Sequence, residues 1–157
     1  ALPILVKVKV PSYRGIENPF GYIWSWTDGC KCAIESDADG GVSSFYTCDN
    51  PANYQDTNYD NYVKRGELPR KEGYVKRMMI GEYGENMPTE VGAGSTTYFA
   101  DYFYTNIPAS GVAQRGVLFG GSAYSGASAG LSCAYTTNAA TATHAYFGSR
   151  LCFIPAA

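Results

Sequence analysis

Residues 119–149, FGGSAYSGASAGLSCAYTTNAATATHAYFGS, contain no Lys, Arg, Asp, Glu, Gln, Met or Trp. All 12 basic and 14 acidic residues of the 157-residue chain lie elsewhere, and the net charge is only −2. That balance carries no electrostatic footprint for nucleic acid or for an anionic membrane surface. No apolar run reaches the roughly 18 residues that a membrane-spanning helix needs, so membrane insertion is not expected. Histidine is nearly missing as well. With His144 alone, a zinc site would have to recruit most of the cysteines, and Cys30, Cys32, Cys48, Cys133 and Cys152 include no CxxC pair. Five thiols cannot all pair within one chain, and reduced, partly buried cysteines are the simpler expectation. No metal or cofactor is expected.

Against these gaps stand 14 tyrosines and 18 glycines. Tyrosine presents a large rigid surface with a polar tip and little rotamer entropy to lose, which suits recognition surfaces; it also fits half-buried β faces. The length fits one domain spanning 1–157. Ala1 leads straight into a strand-like run with no initiator Met, and the chain is expected to be the C-terminal part of a longer protein.

Along the chain, ILVKVKV (4–10) alternates as a strand does. Asn18-Pro19 looks like a helix start. Ile16, Phe20, Ile23, Trp24 and Thr27 recur at helical spacing, predicting a short helix over about 19–27 with Trp24 deeper than Trp26. CKCAIESDADGGVSSFYTCD predicts a hairpin turning at Asp39-Gly40-Gly41. Residues 50–73 are polar and without period, a long loop or set of turns. TYFADYFYTN alternates aromatics as a strand would, and RGVLFGGSAY is a buried strand ending in a Gly-Gly break. RLCFIP is expected to close the domain beside residues 4–10, with Arg150 as an anchor of the framework.

GYIWSWTDG at 21–29, RGVLFGGSAYSGASAG at 115–130 and GSRLCF at 148–153 occur in the order of the formylglycine-generating-enzyme type of C-type-lectin-like fold. Together with YRGIENPFG, GSTTYFADYFYTN and LFGGSAYSGASAG they resemble the variable proteins of diversity-generating retroelements, above all those of gut bacterial phages. The resemblance implies an α+β, C-type-lectin-like fold with short strands, one or two short helices and long irregular loops. It also implies that 119–149 is a variable region. In such systems an error-prone reverse transcriptase misincorporates at template adenines. Asn codons then scatter to Tyr, Ser, Thr, Ala, His, Phe, Gly, Asp or Cys, but not to Lys, Glu, Gln, Met or Trp, the five residue types missing here together with Arg and Asp. Gly120, Gly121, Gly126, Gly130 and Gly148 read as fixed backbone positions. The variable, ligand-binding positions implied by the pattern are Tyr124, Ser125, Ser128, Tyr135, Thr137, Thr141, Thr143, His144, Tyr146 and Phe147.

The implied function is a ligand- or receptor-binding domain, such as one serving phage host recognition. It would lie on the virion surface as part of a tail fibre, or on a bacterial cell surface. Its ligand would be a host surface protein or glycan, and the full-length protein could be a homo-oligomer such as a trimer. The alternative is a fixed structural or decoration domain without a diversified site. No enzyme activity is expected. The cysteine pair that formylglycine-generating enzymes carry shortly after the G-G-S strand is missing, since only Cys133 follows nearby. One histidine cannot build the cluster of the related iron-dependent sulfoxide synthases. A Ser-His-Asp arrangement around His144 has no G-x-S-x-G on a strand-to-helix turn to support it. Asp37 and Asp39 in DADGG resemble half a calcium loop, but Cys48 stands where the bidentate Glu would be.

Overall fold

A computed structural model describes residue 10 and residues 12–82 and 85–149. Strands make up 44% and helical turns 7%, with no helix of seven residues or more. Strands β1 (Ser12–Tyr13) and β2 (Ile16–Glu17) form a small hairpin of their own. The main sheet contains β3 (Trp24–Glu35), β4 (Ser43–Thr47), β5 (Val63–Glu67), β6 (Gly73–Ile80), β7 (Asn86–Ala93), β8 (Tyr102–Thr105), β9 (Val112–Phe119) and β10 (Ala134–Thr136). Their order is β5-β4-β3-β9-β10-β8-β6-β7, and β11 (Phe147–Gly148) joins the start of β3 in parallel. The β8–β10 pair is also parallel; the remaining pairs are antiparallel.

The expected α+β, C-type-lectin-like architecture is overturned. The chain is nearly all-β, and its eight-stranded sheet curls into a half-barrel. The helix expected over 19–27 gives way to an irregular entry and then to the 12-residue strand β3. Two local features explain this. Asn18 (φ 50) and Gly21 (φ 74) sit in the left-handed region, which no right-handed helix can run through. From Trp24 onward the chain gains ladders to β9 on one side and to β4 and β11 on the other. Aromatic and β-branched residues fit such a pleated surface well, and the apparent 3.6-residue spacing loses to that pairing. Trp24 is buried and Trp26 half-buried, as expected, but their placement comes from a strand and not from a helical face.

Other segments follow the sequence more closely. The β3–β4 hairpin turns at Gly40 (φ 119) and Gly41 (φ 67). The run 112–119 is a strand that stops at Gly120-Gly121. Residues 50–62 are irregular apart from a 3-10 turn at Pro51–Asn53, but 63–67, expected as loop, is edge strand β5. The expected pairing of 4–10 with 151–154, the anchor role of Arg150 and the state of Cys152 lie outside the described residues.

The inner face of the curled sheet holds the main core. Ile34, Phe45, Val75 and Phe103 are fully enclosed there, with Leu68, Met87 and Val91 around them. The curl brings the two sheet edges together. Gly66 of β5 faces Met79 of β6 so closely that a Cβ would stand 3.0 Å from its sulfur. Arg65 of β5 pairs at 3.0 Å with Glu85 just before β7, both partly buried. An edge strand covered in this way is a poor template for pairing with another chain.

The outer face carries a second, aromatic layer. In β3 the register with β9 slips between Trp26 and Lys31, so Thr27–Cys30 have no partner on β9 and Trp26 and Lys31 return to the same face. Gly116 of β9 lies beneath the Trp26 ring, where a Cβ would come within 2.6 Å of it.

Candidate functional site

Strand register assembles the site. Tyr104 on β8 faces Tyr135 on β10, Tyr135 faces Leu118 on β9, and Leu118 faces Trp26 on β3. Tyr74 on β6 faces Tyr102 on β8 in the same way. Side chains alternate along a strand, so Tyr102 and Tyr104 point outward while Phe103 and Thr105 point into the half-barrel. The rings meet in series. Tyr74 and Tyr102 are 5.0 Å apart, Tyr102 and Tyr104 4.6 Å, Tyr104 and Tyr135 5.5 Å, and Tyr135 and Trp24 5.2 Å. Such edge-to-face and tilted pairs suit the ring quadrupoles and hold the rings in fixed orientations.

The charge-free segment frames this row from two sides. Its first part turns at Gly120 (φ 91) and Gly121 (φ 80) and is tied down by main-chain bonds. Gly21 N–H donates to Gly120 O (2.9 Å), Gly120 N–H to Cys133 O (2.9 Å) and Ala123 N–H to Tyr22 O (3.0 Å). Its last part is held likewise, with Trp24 N–H donating to Tyr146 O at 2.9 Å. Between them lies an open trough of about 350 Å³. Trp24, Tyr104, Tyr135 and Tyr146 wall it, and Ser122, Tyr124 and Ser125 line its other side.

The ten sequence-predicted positions divide by placement. Tyr124, Ser125, Tyr135 and Tyr146 come together in the trough, with Tyr124 90% exposed. His144 is exposed and stacks on Tyr146, ring centroids 3.7 Å apart. Ser128 sits just beyond Tyr104, its hydroxyl bonded to the Tyr104 phenol and 3.4 Å from that of Tyr74. Phe147 is half-buried with its ring 5.7 Å from Trp26, in a supporting position. Thr141 is exposed on a separate pocket of about 130 Å³ beside Lys31 and Gln114. Thr137 is half-buried and Thr143 exposed. The sequence reading missed Trp24, Tyr104 and Ser122 in the trough and Tyr74 and Tyr102 beside it. The alternating aromatics of DYFYT carried the signal for Tyr102 and Tyr104, but only β pairing shows that they extend the same surface.

Electrostatics keep this surface neutral. Burial raises the Tyr102 and Tyr104 phenols, although the Ser128 bond opposes the shift at Tyr104. Beneath the row, burial pushes the Cys133 thiol up to about 12, so it holds its proton at neutral pH and is a poor nucleophile. Desolvation raises the Asp101 carboxyl as well. It still accepts from Ser132 N–H at 2.7 Å, pinning the middle of the charge-free segment. Gly130 owes its identity to this contact: a Cβ there would stand 2.0 Å from the Asp101 carboxylate.

Ser128, Asp37 and Asp39 make contacts of their own. Residues 126–130 do spell G-x-S-x-G, but Ser128 lies in a short 3-10 turn with its hydroxyl on tyrosine phenols. Asp37 pairs with Arg70 at 2.7 Å, and Asp39 accepts from Ser36 and from Gly111 N–H. Cys30, Cys32, Cys48 and Cys133 are free thiols. Among the described residues no group of three or more His, Cys, Asp and Glu could hold a metal, and no helix is long and apolar enough to cross a membrane.

No protein-family model, curated protein or solved structure matches the chain.

Proposed function

We propose that the chain is a binding domain whose recognition surface is the aromatic trough and its rim, with side chains in 119–149 diversified as in the variable proteins of retroelements. The observation that carries this reading is how the segment is attached. Its turns are fastened to the framework through main-chain bonds, while Tyr124, Thr141, Thr143 and His144 project outward. Substitution at such positions changes the surface without removing a fold-determining contact. Its tyrosines, serines and threonines supply the adaptable contacts of a paratope. The partner is a host surface component. The domain sits at the surface of a phage fibre or of a bacterial cell, where display in several copies, such as a trimer, would raise a weak single-site affinity through avidity. It binds without turnover.

Sequencing the locus across sibling genomes tests this. The expected result is substitutions concentrated at the ten named positions, with a neighbouring repeat that differs from the gene only opposite adenines. An invariant segment, or scatter equal to that in 48–62, favours the fixed decoration domain.

A further inference from the structure

We infer that the trough takes a neutral pyranose glycan, its sugar ring stacked on Tyr104, Tyr135 and Tyr146 with Tyr124 and Ser125 at the rim. This rests on the receptor-binding reading and names the ligand class of the same site.

Three observations converge. First, no lining residue is Asp, Glu, Lys or Arg. A cation held by aromatic faces gains most when desolvated and countered by a carboxylate, and an acidic sugar asks for Arg or Lys. Neither counter-charge is present in the lining, whereas an uncharged polyol needs none. Second, the walls alternate ring faces with hydroxyl groups. Aromatic faces are electron-rich, and the C–H bonds on one face of a pyranose are polarised by the neighbouring oxygens, so face and sugar attract. Phenol and serine hydroxyls both donate and accept, matching the hydroxyls around a sugar's edge. Third, the shape suits a small ligand. A volume of about 350 Å³ lies at the lower end of small-ligand sites and has room for one or two sugar rings. A protein partner would need roughly 800 Å² of contact per side, with a rim that usually includes charge. Residues 119–149 supply no charge at all.

The rings are also set in place before any ligand arrives. Trp24 is 5% exposed and packs at 86° to Tyr104, and Tyr104 is tied to Ser128. A preset wall spares the ordering cost that weakens small-ligand binding.

The test titrates the whole chain with neutral probes, namely methyl pyranosides, maltose, cellobiose and lactose, followed by aromatic-resonance NMR and calorimetry. At least one should bind saturably and shift the resonances of Tyr104, Tyr135 and Tyr146. Its affinity should be unchanged in about 0.5 M NaCl, since no ion pair is involved. Tyr135→Ala should weaken binding at least about 10-fold. Tyr124→Ala, at a fully projecting side chain, should weaken it roughly 3-fold with an unchanged melting temperature. Thr143→Ala should have no effect. Preferential binding of choline or of sialyllactose would overturn the inference in favour of a charged ligand. Silence with every saccharide would overturn it too. In that case, Tyr124-dependent binding to bacterial envelopes that is lost on protease treatment but survives periodate would leave the receptor reading standing with a protein ligand. No envelope binding of any kind would remove both.

Discussion

Two segments, the 48–62 loop and residues 119–149 with their short strands β10 and β11, are held to the same sheet by different means. Residues 48–62 are fastened by side chains. The Lys31 ammonium donates to Gln55 O at 2.6 Å and to Asn58 O, and it faces the Tyr59 and Tyr62 rings at 4.9 and 4.2 Å. Tyr59 OH donates to Cys32 O, and Gln114 Nε2 donates to Thr57 O. Residues 119–149 are fastened mainly by their backbone, with Gly120, Ala123, Asn138 and Tyr146 all engaged through main-chain atoms. A loop held through Lys31, Gln114, Tyr59 and Tyr62 must keep those four side chains. A segment held by its backbone leaves many of its side chains open to change. On the proposed reading, this backbone attachment is what lets side chains of 119–149 vary, and the polar 48–62 loop is the internal control.

The sharpest way to break this contrast is at Lys31, which is 4% exposed. Lys31→Ala strands two carbonyls and opens a cavity, and it should cost about 3 kcal/mol in urea unfolding. Lys31→Met keeps the stem and should recover part of that. A cost below about 1 kcal/mol for the alanine variant would mean that the 48–62 loop does not depend on the Lys31 side chain that reaches it.

Next in size is the backbone of the other loop. Gly121→Val forces a β-branched residue to φ 80 and puts a Cβ 2.7 Å from that of Ala129, which should cost about 2 kcal/mol. Gly126→Ala, at φ 52 with no atom within 4 Å of the new Cβ, should cost only about 1 kcal/mol. Thermal unfolding of the pair checks the order; a reversal would show that close approach does not fix the turn.

How far the sequence led can be judged from these same residues. The Asp39-Gly40-Gly41 hairpin and the strand ending at Gly120 were legible because turn glycines and apolar runs act locally, whereas the deeper burial of Trp24 was expected from a helical face that does not form. The helix over 19–27 was a misreading of coincidental spacing; long-range ladders to β4, β9 and β11 decide that segment, and no local pattern reveals them. The trough was half legible. Tyr124, Ser125, Tyr135 and Tyr146, which line it, were named through the resemblance. Trp24, Tyr104 and Ser122 were not, because their convergence depends on a parallel β8–β10 pairing and on the entry to β3. Lys31 gives no sign of its role in the sequence, since a carbonyl and tyrosine cage drawn from positions 55–62 leaves no local trace.

A smaller, pH-dependent effect tests the Asp101 pin. Desolvation raises this carboxyl above its unfolded value, so its contribution is greatest below the ordinary carboxylate range and is lost as pH rises through the raised value. Asp101→Asn keeps an acceptor for Ser132 N–H without the charge. The melting temperature of the variant relative to the native chain should therefore climb as pH goes from about 4 to about 7. A difference independent of pH would show that the carboxylate carries no desolvation cost.

The most direct measurement compares two fourfold variants by chemical denaturation. One changes projecting positions of the charge-free segment: Tyr124→Ser, Thr141→Asn, Thr143→Ala and His144→Tyr. The other changes the side chains through which the polar loop is held: Lys31→Met, Gln114→Ala, Tyr59→Ser and Tyr62→Ser. The first should stay within about 1 kcal/mol of the native chain, and the second should lose more than about 3 kcal/mol. Equal losses, or a larger loss in the first, would contradict the claim that 119–149 is a backbone-held surface with interchangeable side chains.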